Sequence, residues 1–274
     1  MKKVAVFLFF TVVFSFSLSI DAQKNDVGAN YKKNAPGSPY RRKLKDSAQA
    51  EFMVAANFSF DAPGGALAKN FGLNSTIGAS VWYKTGTNWL FGLEYSYIFG
   101  SQIKNQAHLL DSILTPDGNL IGGNGLYEVM NINERGNLIF FKVGKIFHKL
   151  GPNVNSGLYF NLGAGFFEHR ILYYFSGGGS PPIPLNDDYV KGYDQLTYGP
   201  GLSQAFGFLY LGNNHKINFS IELEANEGIT HNARGYDYNT MSYQNQQDLD
   251  MLFGIKVHWY LPFHRDFESV YFYN

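Results

Sequence analysis

In Ile217-Asn218-Phe219-Ser220-Ile221-Glu222-Leu223-Glu224-Ala225-Asn226-Glu227, apolar and polar side chains alternate with period two. Successive side chains of a β-strand point to opposite faces. Ile217, Phe219, Ile221, Leu223 and Ala225 therefore line one face, and Asn218, Ser220, Glu222, Glu224 and Asn226 the other. Wound as a helix, the same residues would scatter acids and aliphatics around the whole axis, and β-branched and aromatic residues favour a strand in any case. A strand with one greasy and one wet face suits two architectures. In a soluble barrel the apolar face turns inward, whereas in a membrane barrel it turns out to lipid.

Worked outward from this stretch, the same template finds seven more segments, at 51–60, 73–83, 89–99, 138–147, 158–169, 196–210 and 249–261. Their lengths suit tilted strands crossing a bilayer. The last is nearly as regular, with Leu249, Met251, Phe253, Ile255, Val257 and Trp259 opposite Asp250, Gly254, Lys256 and His258. The segment at 138–147 is apolar on parts of both faces, because Phe140 shares a face with Lys142. In 196–210, Pro200 interrupts the ladder and Gln204 falls on the apolar face, which predicts a bulge or a register irregularity. Connections at 84–88, 148–157 and 211–216 are short; those at 61–72, 100–137, 170–195 and 228–248 are longer. Short turns on one side and long loops on the other is the layout of outer-membrane barrels.

The start of the chain points the same way. Residues 1–22 combine Lys2 and Lys3, an apolar run to Phe16 and a small residue at Ala22, the pattern of a cleaved secretory signal. Residues 23–49 form a basic arm, expected to be disordered and periplasmic. From 24 to 45, Lys24, Lys32, Lys33, Arg41, Arg42, Lys43 and Lys45 face one acid, Asp26, and the Pro-Gly run at 35–39 offers little apolar surface to bury. From residue 46 onward the balance reverses, with 13 Lys and Arg against 20 Asp and Glu. The formal net charge of zero thus hides a basic arm on an acidic body. Export argues against a nucleic-acid partner. The absence of cysteine excludes disulfides, thiolate metal sites and a lipid on an N-terminal Cys.

These features select the membrane alternative. The fold class expected is all-β, a closed antiparallel up-and-down transmembrane β-barrel of eight strands over 50–263, followed by a C-terminal extension at 264–274. An even strand count returns both termini to the periplasm. Trp82, Tyr83, Trp89, Tyr210, Trp259 and Tyr260 gather at the short-turn ends and are expected to form an interfacial aromatic girdle. The pattern over 50–263 resembles the small OmpA-type outer-membrane barrels. Asp21-Ala22-Gln23 at the signal boundary, with the aromatic, Asn-rich loops, resembles barrel families of Bacteroidota. The resemblance implies a bacterial outer-membrane location.

Chemistry is then a question of lumen and loops. Glu94, Lys142, Glu222, Glu224 and Lys256 should point into a lumen just wide enough for side chains. They are expected to form a charge network plugging the barrel, with Glu222 near Lys256 across the hairpin of 217–227 and 249–261; a gated ion or proton path is the alternative. The seven histidines, His108, His148, His169, His215, His231, His258 and His264, are scattered, and neither His-Glu-x-x-His nor Gly-x-Ser-x-Gly occurs. His169 and His231 are the candidates for an enzyme at the loop rim, the least favoured reading; no catalytic residue, metal or cofactor is expected. Tyr236, Tyr238 and Tyr243 lie in a loop with the Tyr/Asn/Asp composition of adaptable binding surfaces. With Lys32, Lys33, Arg41, Arg42, Lys43 and Lys45 they are candidate docking residues. The expected partners are outer-membrane lipid, lipopolysaccharide, and other outer-membrane or periplasmic proteins. The function expected is a structural or accessory barrel, one form of which is a subunit of a secretion or motility assembly; the alternative is a small channel or uptake barrel.

Overall fold

The computed structural model describes residues 48, 50–104, 109–175, 180–212, 217–244 and 246–263. The signal segment, the basic residues of the arm and the extension at 264–274 lie outside the described residues. Eight long strands form one closed antiparallel barrel: β1 (Glu51–Gly65), β2 (Asn74–Lys84), β3 (Trp89–Gly100), β4 (Met130–Phe147), β5 (Gly157–Phe175), β6 (Thr197–Leu211), β7 (Asn218–Asn232) and β8 (Gln247–Phe263). Each pairs with its neighbours in the chain, and β8 closes on β1 from Phe52↔Phe263 to Gly65↔Asp250. Closure removes both sheet edges, so no strand leaves a row of backbone groups unpaired. Among the described residues no helix is long and apolar enough to cross a membrane.

β4 and β5 run further than their side-chain alternation suggests, staying paired from Met130↔Phe175 to Phe147↔Leu158. Beyond Leu138 the outward positions of β4 become Asn137, Arg135 and Asn133, so the apolar pattern stops while the backbone ladder continues. β6 corrects the expected irregularity. Tyr198↔His231 and Gly201↔Gly228 lie in one register, with only Gly199 and Pro200 unpaired toward β7, so Pro200 removes a rung without shifting the strand. Gln204 does face outward, and its Nε2 reaches Glu227 Oε1 at 3.4 Å, so the polar group on the lipid side is partnered.

The barrel is inside out relative to a soluble protein. Its outer wall exposes Phe52, Phe58, Ile77, Val81, Leu93, Phe141, Leu162, Leu202, Phe206, Ile221, Leu223 and Ile255 around the full circumference. An apolar belt of this extent has no place on a monomer in water. On β4 it is bounded by outward Asn137 and Lys145, and the eight steps between them span roughly 20 Å at the usual rise and tilt of barrel strands. That is close to the lipid-facing band of such barrels.

The aromatic girdle needs correcting at two positions. Tyr83, Trp89 and Trp259 are exposed on the outer wall, and Tyr210 also faces outward, its ring 5.6 Å from that of Phe219. Trp82 and Tyr260 point into the lumen instead, at 2% and 4% exposure. The cause is strand parity: each immediately neighbours an aromatic that faces out, Tyr83 and Trp259, and adjacent residues of a strand cannot share a face. Trp82 Nε1 donates to Ser80 Oγ at 2.9 Å, and its ring fills the space left by Gly92, where a Cβ would come within 2.4 Å of the indole.

Leu223→Arg, on the lipid-facing wall, should lower the stability of the membrane-inserted barrel by about 2–4 kcal/mol in denaturant titrations from vesicles, while Glu222→Gln should leave insertion intact. Single-tryptophan variants make a second check. Brominated lipids should quench Trp89 and Trp259 strongly and Trp82 weakly.

Candidate functional site in the lumen

Period two directs Glu94 of β3, Lys142 of β4, Glu224 of β7 and Lys256 of β8 inward, and all four are buried. They meet as a closed square of alternating charge. Lys142 Nζ lies 2.9 Å from Glu94 Oε1 and 2.5 Å from Glu224 Oε1; Lys256 Nζ lies 2.6 Å from Glu94 Oε1 and 2.5 Å from Glu224 Oε2. Ser203 Oγ also donates to Glu224 Oε1, at 3.2 Å. The long side chains fit because small residues stand beside them. At Gly163 an added Cβ would fall 2.8 Å from Lys142 Cγ.

Glu222 occupies a neighbouring cluster. Although it is the register partner of Lys256, its Oε1 lies 3.0 Å from His258 Nε2, and its Oε2 accepts from the Tyr159 hydroxyl. The expected Glu222–Lys256 contact is thus replaced by Glu224–Lys256, in which the ammonium reaches diagonally to the carboxylate two residues along β7, while Glu222 is taken up by His258 and Tyr159. Tyr159 and Tyr260 both reach Ser220 Oγ, at 3.2 and 3.0 Å, and the Tyr260 ring stacks on His258 with centroids 5.7 Å apart. His258 and Tyr159 are participants that the charged residues alone do not reveal; their inward parity, shared with Lys256 and Asn161, was the available signal. Glu94, Glu222 and His258 could together approach a metal ion, their ligand atoms lying within 4.8 Å of one another. Lys142 and Lys256 hold Glu94 Oε1, while Glu94 Oε2 lies 3.9 Å from His258 Nε2.

Apolar layers cover the charges on both sides. Toward the short turns, Met53, Trp82, Leu90, Ile146, Leu209 and Tyr260 pack into one buried cluster. Toward the long loops, Ile98, Leu138, Phe140 and Phe167 pack with Leu67, Phe71, Leu109, Leu110, Leu185 and Tyr193, which the loops fold over the mouth. The ionic layer lies between these two apolar clusters.

The loop residues fall into separate groups. Tyr236, Tyr238 and Tyr243 are brought together, with Tyr236 ring centroids 5.1 Å from Tyr238 and 5.0 Å from Tyr243, and Tyr238 stacks on Tyr193 at 5.5 Å. Arg234 grips Asp194 through both oxygens, at 2.9 and 2.6 Å, and this carboxylate holds the guanidinium above its ordinary pKa. His169 and His231 do not form a common site. His169 faces the lumen, where it meets Asp250, and His231 is exposed on the outer wall against Tyr198. Lys32, Lys33, Arg41, Arg42, Lys43 and Lys45, like His108, His215 and His264, lie outside the described residues.

A lipid-suited wall around a lumen filled by charge and plugged at both ends decides the class. The chain is a small eight-stranded membrane barrel. No protein-family model matches it, and no curated protein matches it. Among solved structures it is similar to Ail, the attachment invasion locus protein of Yersinia pestis, at 10% identity and a TM-score of 0.38, covering 77% of this chain and 99% of that one. It is also similar to Neisserial surface protein A, at 13% and 0.36, covering 77% and 97%. Similarity to the outer membrane protein OprG from Pseudomonas aeruginosa stands at 11% and 0.33, covering 81% and 99%. The assignment to a membrane barrel stands on strand register and the outer wall, independently of these likenesses.

Lys256→Met should destabilise the barrel by about 3–5 kcal/mol, because it leaves two buried carboxylates sharing one ammonium. Adding Glu94→Gln to that variant should recover part of the loss in the same denaturant titration, since it removes the carboxylate left short of a partner.

Proposed function

We propose that the protein is a non-enzymatic integral barrel of the bacterial outer membrane, exported by a cleaved signal and acting as a structural or accessory subunit. The single observation that carries this reading is the filled lumen: a buried ionic square, with apolar clusters toward both ends, occupies the space between the walls. An ion crossing it would have to separate charges already paired at 2.5–2.9 Å. Work is therefore assigned to the two ends. On the long-loop side, the tyrosine cluster of Tyr236, Tyr238 and Tyr243 offers amphipathic rings suited to a protein partner. Outward Tyr95, Asn137 and Glu168, linked at 2.8 and 3.2 Å, sit where the apolar wall gives way to polar residues and suit contact with lipopolysaccharide headgroups. On the other side the basic arm at 23–49 is the docking segment, with both termini periplasmic. A larger outer-membrane assembly, such as a secretion or motility machine, would use both.

Purified protein in a planar bilayer should show no steady conductance. Extraction in gentle detergent should recover stoichiometric partners that are lost when residues 24–45 are deleted. A lone monomer with steady conductance abolished by Lys256→Met would overturn this reading in favour of a channel.

A further inference from the structure

Beyond the apolar belt, on the long-loop side, β4 and β5 set two arginines directly opposite each other. Arg135 is the register partner of Arg170, and strand parity turns both outward, since Glu134, Gly136, His169 and Ile171 on either side of them are buried in the lumen. Like charges facing each other across an antiparallel pair repel, with Cβ atoms only about 5 Å apart. No carboxylate relieves them. Glu168, the one acid among the outward residues of these two strands, is hydrogen-bonded by Asn137 at 3.2 Å, and among the described residues neither arginine forms an ion pair. Arg135 Nη1 donates to the carbonyl of Glu134 at 2.6 Å and to that of Gly100 at 3.5 Å, which tethers the guanidinium to the wall without neutralising it. Arg170 is exposed and makes no hydrogen bond among the described residues.

Height along the strands defines the ligand. Descending toward the membrane, the outward pairs are Arg135 with Arg170, Asn137 with Glu168, and Ile139 with Phe166, where the lipid-facing wall begins. The arginines stand one outward step above the Asn137 boundary, roughly 5 Å along the barrel axis at the usual rise and tilt. The headgroup layer of a bilayer occupies about that depth beyond the hydrocarbon on each side. A guanidinium presents paired, planar donors that match a phosphate, and two of them on one rung can take a single phosphate from both sides. A free phosphate ion would gain nothing from the wall below. A phosphorylated lipid would, because its chains continue down over Ile139 and Phe166. We propose that Arg135 and Arg170 clasp a phosphate of an outer-leaflet glycolipid. The proposal rests on the outer-membrane reading given above and assigns its headgroup contact a defined chemistry.

The test is native mass spectrometry of the full-length protein in nonionic detergent, with diphosphorylated lipid A as probe, the same lipid stripped of its phosphates as counterpart and inorganic phosphate as competitor. Lipid A should bind at least about tenfold more tightly than the dephosphorylated form, since charge-assisted hydrogen bonds are lost with the phosphate. Combining Arg135→Gln with Arg170→Gln should weaken lipid A by about tenfold or more while the far-ultraviolet circular dichroism of the barrel is unchanged. Excess inorganic phosphate should not displace the lipid. Without lipid, Arg170→Gln should leave the urea midpoint unchanged or raise it, because it removes a like-charged neighbour. Equal affinity of wild type and double variant for lipid A would overturn the clasp and leave the headgroup contact at Tyr95, Asn137 and Glu168 standing; no lipid A binding by the wild type would overturn both. Displacement by inorganic phosphate would assign the pair to a free anion, and a lowered midpoint in Arg170→Gln would assign it to folding, and either result would overturn the proposal.

Discussion

Four ion pairs inside a lumen only wide enough for side chains set the terms for the rest of this barrel. Glu94 and Lys142 belong to the β3–β4 hairpin; Glu224 and Lys256 belong to β7–β8, on the opposite side of the ring. Lys142 and Glu224 are 82 residues apart in the chain, and Glu94 and Lys256 are 162 apart. None of the cross-lumen pairs can form in a single hairpin. A curled but open sheet would keep only the pairs within each hairpin, Glu94–Lys142 and Glu224–Lys256, and would forfeit the two that cross the lumen. The square therefore rewards only the closed ring in which β8 meets β1, and in that sense it checks topology more than it adds stability.

Around that centre the composition follows from what each surface touches. Lipid supports the outer aliphatics, which gain nothing from packing against protein. The lumen pairs its charges with one another and with serine, asparagine and tyrosine side chains, between apolar clusters above and below. Small residues on the inner face are part of the same solution. Lys142 can cross toward Glu224 because Gly163 leaves it room, and Trp82 can lie flat because Gly92 does.

Much of this was legible in the order of the residues, because a strand writes its two faces into alternate letters. The stretch 217–227 sorts Leu223 to lipid and Glu224 to the lumen without any knowledge of its neighbours. The same rule, applied strictly, separates Trp82 from Tyr83 and Trp259 from Tyr260; grouping aromatics by height along the barrel overlooked it. Which carboxylate Lys256 selects was not legible, since register names Glu222 as its partner and only the three-dimensional reach of the side chain chooses Glu224. The mouth plug was hidden for a different reason. Leu67, Phe71, Leu110 and Tyr193 sit in aperiodic loops, whose packing depends on contacts far away in sequence. His169 shows the intermediate case, since its inward direction follows from parity with Phe167, but its meeting with Asp250 needs the closed barrel.

The square also has a mechanical meaning. A thin-walled tube pressed from the side flattens into an ellipse, and a membrane presses on its proteins from every side. A strut between opposite walls resists that ovalisation along the diameter it spans. The two braced hairpins are the ones that carry the loops at 101–129 and 233–246. Their spacing is then braced by the two short bonds that cross the lumen, much as the jaws of a caliper are set by its pivot, and a partner gripping those loops would meet a gauge of fixed width.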